Sequence, residues 1–168
     1  MEMALTAPPR TDDVPRWAID GIPSASVADV WPTVWPILKP AVDVAPESIR
    51  FKEDELLGLL IGREMQLWVI ANVEHQKIVA TAITSIIDID EFMPDATALE
   101  IPFVAGSDMG AWVVALERLL AEYGRANGAQ YLFGYGRKGW ERMAEFKSIG
   151  YTKGGIRVMA KVIKRKLQ

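Results

Sequence analysis

Apolar residues at Val27, Trp31, Val34, Leu38 and Ala41 recur at alternating spacings of four and three, which puts them on one face of a first helix. Pro32, Pro36 and Pro40 repeat every four residues and so share one stripe of it. Pro32 suits a first turn, but Pro36 and Pro40 each delete a backbone bond, so the pattern predicts a bent or split helix. A second helix is expected over residues 52–61, with Glu53, Asp54 and Glu55 in a first turn where the dipole favours acids, and Gly62 at its end. Two runs rich in β-branched and aromatic residues follow, 66–70 and 77–84, with a polar turn at 72–76 between them, which reads as a hairpin. Residues 98–104 read as a strand and 109–126 as a long helix with a core face of Trp112, Leu116, Leu119, Leu120 and Tyr123, stopping at Asn127 and Gly128. A strand over 130–135, a short helix containing Trp140 and Met143, and a closing strand over 156–163 complete the pattern.

Residues 1–23 carry Pro8, Pro9, Pro15 and Pro23 among small and charged residues, a composition that favours an extended arm, with Trp17 and Ile19 as its apolar anchors. The rest, 24–168, reads as one domain. In a chain of 168 residues, half of them hydrophobic and 24% charged, a single core is the expectation. A net charge of −3 argues against a general nucleic-acid binder, and the only dense basic run is Lys161, Lys164, Arg165 and Lys166. Without cysteine there is no thiolate nucleophile, and the single His75, in the hairpin turn, is expected to face solvent. No apolar run approaches membrane-spanning length, and the acidic, proline-rich start is unlike a signal peptide, so a cytoplasmic product is expected.

The order helix, helix, hairpin, strand, helix, strand, helix, strand gains specificity from the wording Trp31-Pro32, Gln66-Leu67-Trp68-Val69-Ile70, Gly136-Arg137-Lys138-Gly139-Trp140-Glu141-Arg142 and Ile149-Gly150-Tyr151. On these residues the chain resembles the GCN5-related N-acetyltransferases, the GNAT superfamily, and in particular divergent members encoded in phage and prophage genomes. The resemblance covers about residues 27–163. It implies an α/β (α+β) fold in which helices flank a mixed central sheet. It also implies a coenzyme A site on the strand and helix start around Val104, Ser107, Met109, Gly110 and Ala111. A helix N-terminus suits a pyrophosphate because its unpaired N–H groups and dipole face the anion. In the same family a glutamate on the preceding strand relays a proton from the substrate amine, which points to Glu100. A tyrosine in the segment matching 146–151 commonly protonates the departing thiolate, and here that position is Phe146.

The residues also depart from the family pattern. Phe146 has no proton to give. Of the pyrophosphate loop, which in the family reads Arg or Gln, two residues, Gly, one residue, then Gly or Ala, only Gly110 matches. Ser107 takes the first place and Trp112 stands where a small residue lets phosphates approach. Asp108 is placed to cap the helix and repel an anion. Pro102 removes one donor from the strand that lines the cofactor. These features favour a non-catalytic, GNAT-fold virion or assembly component with no cofactor, held in an oligomer or assembly through the arm and the Trp17, Trp31 and Trp35 region, with no nucleic-acid or membrane partner. The alternative is an acetyl-CoA-dependent N-acyltransferase acting on an amine, with Glu100 relaying a proton by way of water. Asp88, Asp90 and Glu91 form an acidic patch, and Arg137 and Lys138 a basic turn, each of which a solvated loop accounts for.

Overall fold

The computed structural model describes residues 16–136 and 146–163. Its seven strands form one sheet, β1 (Trp17–Ile22), β2 (Gln66–Asn72), β3 (Lys77–Asp88), β4 (Thr97–Gly106), β5 (Tyr131–Tyr135), β6 (Lys147–Tyr151) and β7 (Arg157–Val162), in the order β1-β2-β3-β4-β5-β7-β6. Every neighbouring pair is antiparallel except β4 and β5, which run parallel. Helices α1 (Val27–Asp43) and α2 (Glu53–Ile61) cover one face of the sheet, and α3 (Met109–Ala126) covers the other. Alternation along β2 serves both layers. Leu67 and Val69 pack with Trp31, Val34 and Leu38 of α1, whereas Trp68 and Ile70 pack with Trp112, Leu116 and Leu120 of α3.

The predicted face of the first helix is the buried one, but the helix is not split. Residues 27–43 form one α-helix through all three prolines, each of which is exposed. Because the prolines share a stripe four residues apart, the carbonyls they leave without a donor share that stripe as well. Water therefore satisfies them, and the core face is untouched. Pro36→Ala restores one of these bonds without altering a core contact and is expected to stabilise the protein by about 1–3 kcal/mol, read as a rise in the thermal midpoint.

The segment assigned to an arm ends in a strand. Residues 1–15 lie outside the described residues, but Trp17–Ile22 pairs with β2 along its whole length, from Trp17 opposite Asn72 to Ile22 opposite Leu67. Trp17 and Ile19 point into the core beneath α3, and this alternation makes the stretch an edge strand where its composition read as a tether. Trp31 is likewise a core residue. It is 5% exposed, donates from Nε1 to Glu53 Oε2 at 3.0 Å and stacks on Trp35 with ring centroids 5.5 Å apart.

Gly150 lies inside β6, at a register irregularity opposite β7, with φ of 151°. The helix expected around Trp140 and Met143 falls outside the described residues, as do Arg137 and Lys138. His75 is exposed, as its turn position predicts, with its backbone N–H donating to Asn72 Oδ1. The carboxylates of Asp88 and Asp90 accept backbone N–H bonds from Asp90 and Asp95, so they brace the loop that carries them.

Two irregularities in β4 position the site. Ile83 pairs with Phe103 and Ser85 with Glu100, so Ile101 and Pro102 together face Thr84 alone. This bulge turns the strand over. Leu99 and Ile101 pack toward α3, while Phe103 packs toward α1 and α2. Pro102 sits in the bulge itself, where a missing ladder donor costs little. The second irregularity is that β4 pairs with β5 only from Ala98 opposite Tyr131 to Ile101 opposite Gly134. Beyond that point the two strands part, and β4 continues to Gly106 paired with β3 only.

Candidate active site

The parting of β4 and β5 opens a cavity of about 250 Å³ through the sheet. It is lined by Met109 and by Ile101, Val104, Val113, Leu116 and Phe146, which pack on the α3 side, by Ile49 and Phe103, which pack on the α1–α2 side, and by Ile156. Phe146 is 6% exposed, so at the position where the family resemblance implies a proton donor the side chain serves as apolar wall. Its ring lies 5.9 Å from Lys161 Nζ, which donates to Glu117 Oε2 at 2.6 Å. Lys161 is therefore tied to α3 and is not simply part of a solvated basic tail.

At the mouth, the chain turns sharply from β4 into α3. Gly106 has φ of 136°, and a Cβ there would sit 2.4 Å from Ala80 Cα. Only glycine lets the backbone pass β3 this closely. Ser107 follows, its N–H donating to Val79 O at 3.2 Å and its carbonyl accepting from Trp112 Nε1 at 2.8 Å.

Two expected obstacles to an anion are removed by this geometry. Asp108 adopts a left-handed backbone, φ 57° and ψ 34°, and its side chain makes no capping hydrogen bond. A capping residue reaches the N–H groups of the first turn from extended backbone, and the left-handed conformation directs the carboxylate elsewhere. The first-turn amides at Met109 and Gly110 therefore have no intrahelical acceptor. Trp112 is not an obstruction either. Its indole is fully buried under the sheet, and its only polar atom is spent on bracing the Ser107 carbonyl. Gly110 and Ala111 are exposed, and nothing lies within 4 Å of where a Gly110 Cβ would be. An oxyanion approaching this turn meets open space, two N–H donors and the positive end of an 18-residue helix.

Glu100 is half-buried on the opposite face of β4. Its Oε1 accepts from Ser85 Oγ at 2.9 Å and its Oε2 accepts a short hydrogen bond from the hydroxyl of Tyr135. Tyr135 also lines the cavity, so it joins the carboxylate to the space between the splayed strands. Burial, reinforced by the charge of Glu100 and the hydrogen bond to it, pushes the Tyr135 phenol well above its ordinary value of 10.0. The folded state thus holds a proton that the unfolded chain releases near pH 10. This contribution to stability is complete below about pH 10 and fades as the pH rises above it. Alkaline unfolding curves of the wild type and Tyr135→Phe are expected to converge above that pH.

Of the residues singled out from the sequence, Val104, Met109 and Phe146 line the cavity. Ser107, Gly110 and Ala111 lie on the exposed turn beside Met109 and do not line it, and Glu100 meets it through Tyr135. Tyr135 and Ser85 were not anticipated. Tyr135 alternates with Phe133 and Tyr131 as any strand residue does, and its closeness to Glu100 follows from the parallel β4–β5 register. Ser85 reaches Glu100 only because the bulge resets the β3–β4 register by one.

No family model and no curated protein sequence matches the chain. Among solved structures, it is similar to FeeM, an N-acyl amino acid synthase from uncultured soil microbes, with a TM-score of 0.61 and 12% identity over 89% of this chain and 92% of that one. It is also similar to a GNAT-family acetyltransferase from Listeria monocytogenes, TM-score 0.58 and 10% identity over 87% and 94% of the two chains. A third is Arabidopsis thaliana NAA60 in complex with acetyl-CoA, TM-score 0.56 and 11% identity over 88% and 98%. The chain has the GNAT fold, with its seven-stranded mixed sheet flanked by helices. Among the described residues no helix is long and apolar enough to cross a membrane.

Proposed function

We propose that this chain is an acyl-CoA-dependent N-acyltransferase that acylates an amine. The observation that carries the reading is a single path. An uncapped helix N-terminus opens onto an apolar cavity between splayed strands, and that cavity is met by a tyrosine hydroxyl bound to a carboxylate. The reading of an idle structural protein leaned on Asp108 as a cap, on Trp112 as a block and on Trp31 as a contact surface. Asp108 is uncoupled from the amides and both tryptophans are buried, which weakens that reading, while Phe146 and Ser107 still depart from the family pattern. Similarity to acyl-transferring proteins of the same fold, one of them holding acetyl-CoA, supports the enzyme reading.

In this proposal the amides of Met109 and Gly110 receive the pyrophosphate of coenzyme A, and Val104, Met109 and Val113 line its approach to the gap. The thioester supplies an activated carbonyl: the C–N bond forms as the C–S bond breaks, one proton leaves the amine nitrogen and one reaches the departing sulfur. Glu100 is the proton acceptor. The Tyr135 hydroxyl stands between it and the cavity, and because this phenol does not ionise, it passes one proton to Glu100 only as it takes another from the amine. Ser85 holds the second carboxylate oxygen and so fixes which one faces Tyr135. Phe146 leaves the sulfur to take its proton from solvent, which the low basicity of a thiolate, pKa about 8.5, allows at modest cost.

The absence of cysteine makes thiol release a direct assay, because the protein adds no background. Thiol release that depends on both an acyl-CoA and an added amine is the expected result. A chain that binds acyl-CoA yet releases no thiol with any of a broad panel of amines contradicts the proposal. Asp108→Asn, which removes the one negative charge beside the uncapped turn, is expected to tighten coenzyme A binding about three- to tenfold at low salt.

A further inference from the structure

What closes the far end of the cavity determines what can be stored there. The connection between α1 and α2 contributes Pro46 and Ile49, the β6–β7 turn contributes Ile156, and Phe103 lies between them. The two connections meet: a Cβ on Gly154 would lie 3.1 Å from Ser48 Oγ. They therefore form a roof over the gap on the face opposite α3. Among the described residues, Glu117 and Tyr135 are the ionisable side chains on the walls, and the structure commits Glu117 to Lys161 and Tyr135 to Glu100. The rest of the described lining is mostly apolar, which suits a hydrocarbon chain better than a charged group.

The cavity of about 250 Å³ is shared, since Val104, Met109 and Val113 line the approach of the thioester within it, and the part left to the acyl chain is the part beneath Ile49 and Ile156. A polar approach for the amine exists elsewhere. Arg63, Gln66, Ser85 and Glu100 border an open concavity of about 680 Å³, which brings an acceptor to Glu100 without passing under the roof.

We propose that the acyl group transferred is a medium-length hydrocarbon chain, seated with its tail beneath Ile49 and Ile156, and not acetyl. This rests on the acyltransferase reading and specifies its donor. Calorimetric titration with coenzyme A thioesters of two, four, eight and twelve carbons tests it. Affinity is expected to rise by up to about fourfold per added methylene, by at least about 100-fold from acetyl to octanoyl, and then to level off. Ile49→Trp and Ile156→Trp fill the roof from its two separate connections. Each is expected to flatten the series by weakening octanoyl-CoA at least about tenfold more than acetyl-CoA, and if one variant misfolds, the other and the wild-type series still decide. A flat wild-type series, or one favouring acetyl, overturns the inference and leaves the acyltransferase reading standing. Binding of no thioester at any length removes both.

Discussion

Glu100→Gln is expected to slow acyl transfer by about 10²- to 10⁴-fold while leaving thioester affinity within about twofold of wild type. The substitution keeps the shape of the side chain: its amide oxygen accepts from the Tyr135 hydroxyl and its NH2 donates to Ser85 Oγ, which turns its own proton away, so the local structure stays in place. What it loses is the capacity to take a proton. A residue that merely held β4 to β5 would tolerate the amide, and transfer would fall little. Tyr135→Phe interrupts the same relay one atom nearer the cavity, so the two changes act on one step. The double variant is expected to be scarcely slower than the more damaged single one. Steady-state kinetics with the acyl-CoA concentration varied separates the rate effect from binding.

Gly106→Ala is expected to destabilise the fold by on the order of 3 kcal/mol or more, lowering the thermal midpoint by about 6–12 °C for a chain of this size. Two penalties coincide at this residue. Its φ of 136° disfavours any side chain, and a methyl group would lie 2.4 Å from both Cα and Cβ of Ala80 and 2.5 Å from Val79 O. All of these atoms belong to β3, which is paired on both sides at Ala80, so they have little room to yield. Because Gly106 also sets the turn into α3, the variant should lose coenzyme A affinity even at temperatures where it stays folded. Gly128→Ala, at a positive-φ glycine with nothing within 4 Å, is the control, and it is expected to cost much less.

Most of the architecture was legible because local chemistry and global packing agree. The run from Trp112 to Leu120 has the period of a half-buried helix, and α3 covers the 109–126 span its pattern predicts. The hairpin follows from β-branched runs around a polar turn. Where the reading failed, the deciding interaction lay outside the window being read. Pro36 and Pro40 forecast a break, yet their orphaned carbonyls all face water, which depends on how α1 is rolled against the sheet. Trp17 and Ile19 looked like an anchor on a tether because nothing local shows that β2 has an open edge.

The candidate site divides the same way. Glu100, Val104, Met109 and Gly110 could be found from their order along the chain, since strand, turn and helix start are sequential. Tyr135 could not, because its bond to Glu100 crosses 35 positions and depends on a parallel register that no local pattern encodes. Asp108 was misread for a subtler reason. An aspartate ahead of a helix is the expected cap, and only the backbone angles at that one residue reveal that its carboxylate does not reach the amides.

Calorimetric titration of the wild type and Gly110→Glu with octanoyl-CoA tests the central claim most directly. Gly110 faces open space, and an acid in the first turn of α3 favours the helix, so the variant is expected to unfold at or above the wild-type temperature. Its carboxylate would nonetheless occupy the amides assigned to the pyrophosphate. Saturable binding by the wild type, weakened at least about tenfold in the variant, is the predicted result. Equal affinity in the two proteins, or no heat from the wild type at concentrations reaching about millimolar, would contradict it.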